Sequence, residues 1–139
     1  MKFLVQRVKD LEIENLKIKE ALLIYVGIEK GDENKNLKEI VSDLINKEII
    51  EKDGKFVLKI KEVNLPIVLI SQITLIASFS KKGKISFDNS LERKKAIEIF
   101  EKIKNEFQNQ GLDIYHFPFG SYLFIKNINI GPNNFYFSF

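Results

Sequence analysis

Ile67-Val68-Leu69-Ile70-Ser71-Gln72-Ile73-Thr74-Leu75-Ile76-Ala77-Ser78-Phe79 is a long, uncharged and mostly apolar stretch, entered through Leu65-Pro66. Its β-branched residues and opening proline predict a central strand over 67–79. The run is too short for a membrane helix and is broken by Ser71, Gln72 and Thr74. A buried polar group without a partner costs about 1–3 kcal/mol, so these three have partners or a purpose. Two readings are open: polar residues at a sheet edge, where threonine is a good strand former, or the lining of a site.

Working outward from this strand, the N-terminal half predicts a strand from Phe3 to Val8. Leu11, Ile13, Leu16 and Ile18, set among Glu and Lys, predict a hairpin turning near Glu14-Asn15. Ala21 to Ile28 is a continuous apolar strand, stopped by Gly31-Asp32. Leu37, Ile40, Val41, Leu44 and Ile45 carry the three-and-four spacing of a helix with one buried stripe, capped by Asn34 or Asn36. Asp53-Gly54 is a turn pair, followed by a short strand over Phe56 to Ile60.

On the C-terminal side, Gly83 marks a lysine-rich loop. Ala96, Ile99, Phe100, Ile103 and Phe107 form the stripe of a second, longer helix, with Gly111 just past its end. Strands are predicted over Leu112 to Phe117, Tyr122 to Ile128 and Asn134 to Phe139. The expectation is one α+β domain over residues 1–139, with a mostly antiparallel or mixed, barrel-like sheet of roughly seven or eight strands and two amphipathic helices.

Composition narrows the chemistry. The 139 residues are 45% hydrophobic, enough for one core, and the net charge is only +3. Such a balance suits an anionic partner but not a dedicated nucleic-acid coat. Cysteine is absent and His116 is the single histidine, which excludes thiolate catalysis, disulfides and a multi-histidine metal site within one chain. No metal or cofactor is expected. Met1 to Asp10 lacks the apolar region of a signal peptide, so a soluble cytoplasmic protein without a membrane partner is expected.

A second unusual segment is the loop Asn129-Ile130-Gly131-Pro132-Asn133-Asn134 between two predicted strands. Glycine permits backbone angles that other residues resist, and a peptide bond before proline adopts the cis form at a cost of about 0.5–1 kcal/mol. From spacing alone an ordinary hairpin turn is the favoured reading.

Taken with the central strand, the loop gains a context. Ser71-Gln72-Ile73-Thr74-Leu75 resembles the S-Q-x-x-L motif of D-aminoacyl-tRNA deacylases, and Asn129-Ile130-Gly131-Pro132 resembles the start of that family's N-x-G-P-V-T motif. Leu4-Val5-Gln6-Arg7-Val8 is similar to the family's opening strand, and Val26 to Asp32 to the strand and turn after it. Lys82-Gly83-Lys84 with Ser86-Phe87 resembles its basic loop, and Phe119-Gly120-Ser121 its F-G-A step. Nearly the whole chain takes part in the resemblance.

The resemblance implies a homodimeric hydrolase that releases D-amino acids from tRNA, with activity on glycyl-tRNA a further implication. It implies that Gly131 and Pro132, as a Gly-cis-Pro pair, enter the partner subunit's site and exclude L-aminoacyl substrates. Ser71, Gln72 and Thr74 would carry the catalytic segment; Ile73, Phe119, Gly120 and Asn129 would bind substrate; Lys82 and Lys84 would meet tRNA phosphates. The family is understood to act without a side-chain nucleophile, in keeping with a chain that has no cysteine, no G-x-S-x-G elbow and one histidine. The chain departs from the pattern at Ile73, where the family has phenylalanine, and at Asn133-Asn134, which replace Val-Thr and bear on how the loop is anchored. Ile85 stands in place of a proline in the basic loop. The competing reading is a divergent, non-catalytic dimer that binds the tRNA end or a nucleotide.

Three other features have simpler readings. His116 near Pro118 is expected to be structural or exposed rather than a partner of Ser71. Arg7, on an otherwise apolar strand, is expected to pair with a carboxylate or a partner subunit. Phe135, Phe137 and Phe139 are expected in the core or an interface.

Overall fold

β1 (Lys2–Ile13) and β2 (Leu16–Gly27) are twelve-residue strands that form one long antiparallel hairpin in the computed structural model, which describes residues 1–139. The turn falls at Glu14-Asn15, with Glu14 at φ 52°. The separate short strand expected over Phe3–Val8 is thus continuous with the hairpin arm. A register shift between Lys9 and Glu12, with Asp10 at φ 48°, bends β1 within its pairing to the strand over Ile125–Asn129.

The next elements are α1 (Leu37–Ile45), the small hairpin of β3 (Glu48–Lys52) and β4 (Lys55–Lys59), and β5 (Ile67–Ser71). They are followed by the two-residue strands β6 (Ser78–Phe79) and β7 (Ile85–Ser86), then α2 (Arg93–Asn109). The chain finishes with β8 (Ile114–His116), β9 (Ile125–Asn129) and β10 (Phe135–Ser138).

The main sheet runs β10-β1-β2-β5-β8, with β9 pairing the far half of β1. β1 binds β2, β9 and β10 antiparallel, whereas β2–β5 and β5–β8 are parallel, so the sheet is mixed. Hydrogen bonding within the chain leaves it open, with β8 at one edge.

Alternation along the strands sends Phe3, Val5, Leu22, Ile24, Val26, Ile67 and Leu69 to one face, where both helices cover them. The helical stripes supply Ile40, Val41, Leu44 and Ile45 from α1, and Ala96, Ile99, Phe100, Ile103 and Phe107 from α2. Burying each such side chain contributes about 1.5–3 kcal/mol. Val8, Ala21, Leu23, Val68 and Ile70 form a smaller core on the opposite face, against Phe117, Leu123 and Ile125. Asn36 caps α1, accepting from Glu39 N at 3.3 Å. Phe135, Phe137 and Phe139 pack against the larger core, as expected of a chain end held in a sheet.

Three expectations are corrected. The central strand stops at Ser71 instead of running to Phe79, and Ile73–Ile76 form a 3₁₀ turn. Glu48–Lys52 is a strand that sequence reading missed, because its charged ends hide its short apolar pair Ile49-Ile50. Tyr122–Phe124 lies outside β9, with Tyr122 and Phe124 almost wholly exposed.

The chain ends meet. The Met1 ammonium donates to Glu29 Oε1 at 2.7 Å, Asp32 Oδ1 at 2.8 Å and the Phe139 carbonyl at 3.0 Å. Asp32 is fully buried there and also accepts from Glu29 N and Lys35 Nζ, both at 2.8 Å.

Candidate active site

β5 delivers Ser71 to the end of the sheet, and the chain then leaves the strand plane. Gln72 N donates to Val26 O at 2.7 Å, the last tie to β2, before the turn closes through Leu75 N to Gln72 O and Ala77 N to Thr74 O. Gly27 makes this turn fit, because a Cβ there would lie 2.9 Å from Leu75 Cβ and 3.0 Å from Ile76 Cγ1. Gln72 and Thr74 therefore do not share a strand face as an ideal strand would have them. They meet across the turn instead, Gln72 Nε2 donating to Thr74 Oγ1.

Opposite the turn stands the loop that follows β8. Gly120 N donates to Ser71 Oγ at 2.8 Å, tying the two segments together. Phe119 docks edge-on against Phe100 of the core, with ring centroids 5.7 Å apart. Between turn, loop and the start of α2 lies a cavity of about 890 Å³, walled by Ser71, Gln72, Ile73, Thr74, Phe119 and Gly120. Six of the expected site residues are thus brought to one place.

Sequence reading missed Phe87, Leu91, Glu92 and Tyr122, which line the cavity together with Arg93. Arg93, with Lys94 and Lys95, reads in the sequence as a cationic cluster that suits tRNA phosphates and a solvated face equally. Glu92 Oε atoms cap α2, accepting from Lys94 N at 3.0 Å and Lys95 N at 3.4 Å. These backbone donors, first that of Lys94, hold the Glu92 carboxyl below its ordinary value of 4.5. A lowered carboxyl contributes stability above its unfolded value and loses it as pH falls through the folded one. In melts run down from pH 6, the advantage of the wild type over Glu92→Gln is therefore expected to shrink below pH 4.5. An advantage that stays constant to lower pH would dismiss the capping role.

The remaining expected residues lie elsewhere in the chain. Asn129, Gly131 and Pro132 are exposed and do not line the large cavity. Gly131 and Pro132 border a second hollow of about 220 Å³ with Arg7, Glu51 and Phe56, and their peptide bond is cis. The loop is anchored to β1. Asn133 Nδ2 donates to Arg7 O at 2.6 Å, Ile130 N donates to the same oxygen at 3.0 Å, and Gln6 Nε2 donates to Asn134 Oδ1 at 2.7 Å. The two asparagines thus supply their own anchors. Lys82 and Lys84 are exposed on the β6–β7 hairpin, outside the cavity wall. His116 is exposed and also outside it, and Arg7 pairs with Glu20 at 2.6 Å. No three acidic or imidazole side chains gather closely enough to hold a metal ion.

The family model for D-Tyr-tRNA(Tyr) deacylase matches residues 4–138. The chain belongs to this family. Among its relatives in this deacylase family, the D-aminoacyl-tRNA deacylase of Aquifex aeolicus is 30% identical, over 95% of this chain and 93% of the relative. The enzyme of the same name from Lactobacillus gasseri is 32% identical, over 95% of each chain. Two solved structures share the deacylase chain's fold, each with a TM-score of 0.78. One is a c-Myc DNA unwinding element binding protein at 23% identity, covering 99% of this chain and 98% of the other. The second is a probable eukaryotic D-amino acid tRNA deacylase at 9% identity, covering 99% and 97%. No helix is long and apolar enough to cross a membrane.

Proposed function

We infer that this chain hydrolyses the ester joining a D-amino acid to the 3′ end of tRNA, with the terminal adenosine and its amino acid in the 890 Å³ cavity. The observation that carries the reading is the convergence of Ser71, Gln72, Ile73, Thr74, Phe119 and Gly120 on that one cavity.

Side-chain nucleophilic catalysis finds little support in the arrangement. The Thr74 hydroxyl takes a hydrogen bond from the Gln72 amide, which is no base, and the Ser71 hydroxyl takes one from Gly120 N. What the segment offers is donors. The N–H groups of Ile73 and Thr74 open the 3₁₀ turn, where no preceding carbonyl of the turn can accept them. Amide donors held near a developing oxyanion contribute several kcal/mol to acyl transfer, and the attacking oxygen then comes from water or the substrate's own 2′-hydroxyl. Phe119 and the smaller Ile73 form apolar walls for the adenine.

The functional unit in this reading is a homodimer. Gly131 and Pro132 are exposed outside their own chain's cavity, so a second copy must bring them to a site. Tyr122 and Phe124 are 100% and 95% exposed on either side of Leu123, a cavity residue, and offer the apolar surface such a copy would cover. Backbone carbonyls of the inserted loop would stand where an L side chain must go, so selection works by exclusion. Asn129 supports the loop from the end of β9, and Lys82 and Lys84 project toward the tRNA backbone.

Incubation with D- and L-tyrosyl-tRNA tests the reading. Release of D-tyrosine alone is expected, with glycyl-tRNA also cleaved because glycine has no side chain to exclude. Protection of both esters without release would replace the enzyme with a binder of the tRNA end.

A further inference from the structure

Arg93 is the one basic residue on the wall of the cavity. It joins none of the chain's ion pairs, and its neighbour Glu92 is engaged with the backbone of α2. Its guanidinium is nevertheless held in place. Nη2 donates to Phe119 O at 3.3 Å, and the guanidinium carbon lies 5.8 Å from the centre of the Phe119 ring. The guanidinium lies directly against Gly120, where a Cβ would come within 3.0 Å of Arg93 Nη1. The group so held keeps most of its five donors unused at an exposed position. A planar cation with a free fork of donors suits a phosphate, which it can grip through two oxygens.

We propose that Arg93 binds the phosphodiester on the 5′ side of the terminal nucleoside, making it a substrate-binding residue of this site. This deepens the deacylase reading and rests on it. Through Phe119 O and the Gly120 N–Ser71 Oγ bond, the same contact links phosphate capture to the S-Q segment. The arginine thus couples the correct seating of an RNA end to the order of the residues around the ester.

The test compares two small substrates that differ in one group, 2′(3′)-O-D-tyrosyl-adenosine and its 5′-phosphate. Arg93→Gln is expected to lower kcat/KM about tenfold more on the phosphorylated substrate than on the unphosphorylated one, the scale of one charge-assisted contact. Arg93→Lys should recover part of the loss. With D-tyrosyl-tRNA, the salt dependence of binding should flatten by about 0.7 in log–log slope, as for one lost single-strand phosphate contact. Equal loss on both small substrates, or loss on neither, would overturn the proposal. A wild type inert toward every D ester defeats the deacylase reading instead. Titration with adenosine 5′-monophosphate then decides the phosphate contact: about tenfold weaker binding by Arg93→Gln sustains it, and equal binding overturns it.

Discussion

Gly27→Val is expected to lower kcat/KM for D-tyrosyl-tRNA about a hundredfold while leaving a folded protein. Gly27 is the last residue of β2, and the space its side chain would need is occupied by the stems of Leu75 and Ile76, at 2.9 and 3.0 Å. The nearest of these atoms is Leu75 Cβ, fixed to the backbone of the 3₁₀ turn, so the turn itself must move. Gln72 O, 3.4 Å away, moves with it, and the 2.7 Å bond from Gln72 N to Val26 O weakens. Overpacking of this kind costs about 1–3 kcal/mol, within the range a single domain survives. The site is less tolerant, because a displacement near 1 Å of groups aimed at a reacting ester is enough for a loss of that size. Steady-state kinetics beside a thermal melt separate the two effects, and Gly27→Ala should fall between wild type and valine. Wild-type kinetics in a folded Gly27→Val protein would show that the turn does not have to hold its place.

The contrast between Gly27 and the residues it accommodates shows where sequence reading succeeds. The apolar stripes of α1 and α2 were legible because a helix face repeats in the chain itself, and all five stripe residues of α2 are buried. Asp53-Gly54 and Gly111 were legible because a positive φ selects residue type locally, at 54°, 79° and 80°. Strand lengths were less secure. Ile73-Thr74-Leu75-Ile76 has strand-like composition, yet it coils, since its conformation is set by Gln72 bonding across to Val26 and by the gap above Gly27. Those are contacts between positions far apart in the chain, and no local period records them. The same holds for the site. Ser71, Gln72 and Thr74 stood out as polar residues in an apolar run, whereas nothing in the sequence set Arg93 apart from Lys94 and Lys95 in its cationic cluster until the fold placed it against Phe119 and Gly120. The Gly131-Pro132 loop was legible as a motif, but its place outside its own chain's cavity is a property of the tertiary structure.

Asp32→Ala is expected to lower stability by about 3 kcal/mol, a fall in Tm of roughly 10 °C for a domain of this size. The carboxylate is fully buried, and one oxygen receives both the Met1 ammonium and Lys35 Nζ, each at 2.8 Å, while the other receives Glu29 N. Alanine removes the acceptor and leaves a buried cation with Glu29 and the Phe139 carbonyl as its partners, at 2.7 and 3.0 Å. Breaking a buried pair from one side costs more than the pair is worth, because the group left behind cannot return to water without unfolding its surroundings. Asp32→Asn keeps an acceptor without the charge, so its loss should be smaller. The contact also sets a pH response. The side-chain bond to Asp32 is the main cause that raises the Lys35 ammonium above its ordinary 10.5. Stability from a raised cation is complete below the unfolded value and disappears as pH climbs through the folded one. Wild type should therefore lose part of its advantage over Asp32→Ala in strongly alkaline melts. Since Asp32 lies apart from the cavity wall, kcat/KM at low temperature should stay near wild type, and a variant as stable as wild type would mean that the ammonium cage contributes nothing to holding β1 and β10 together.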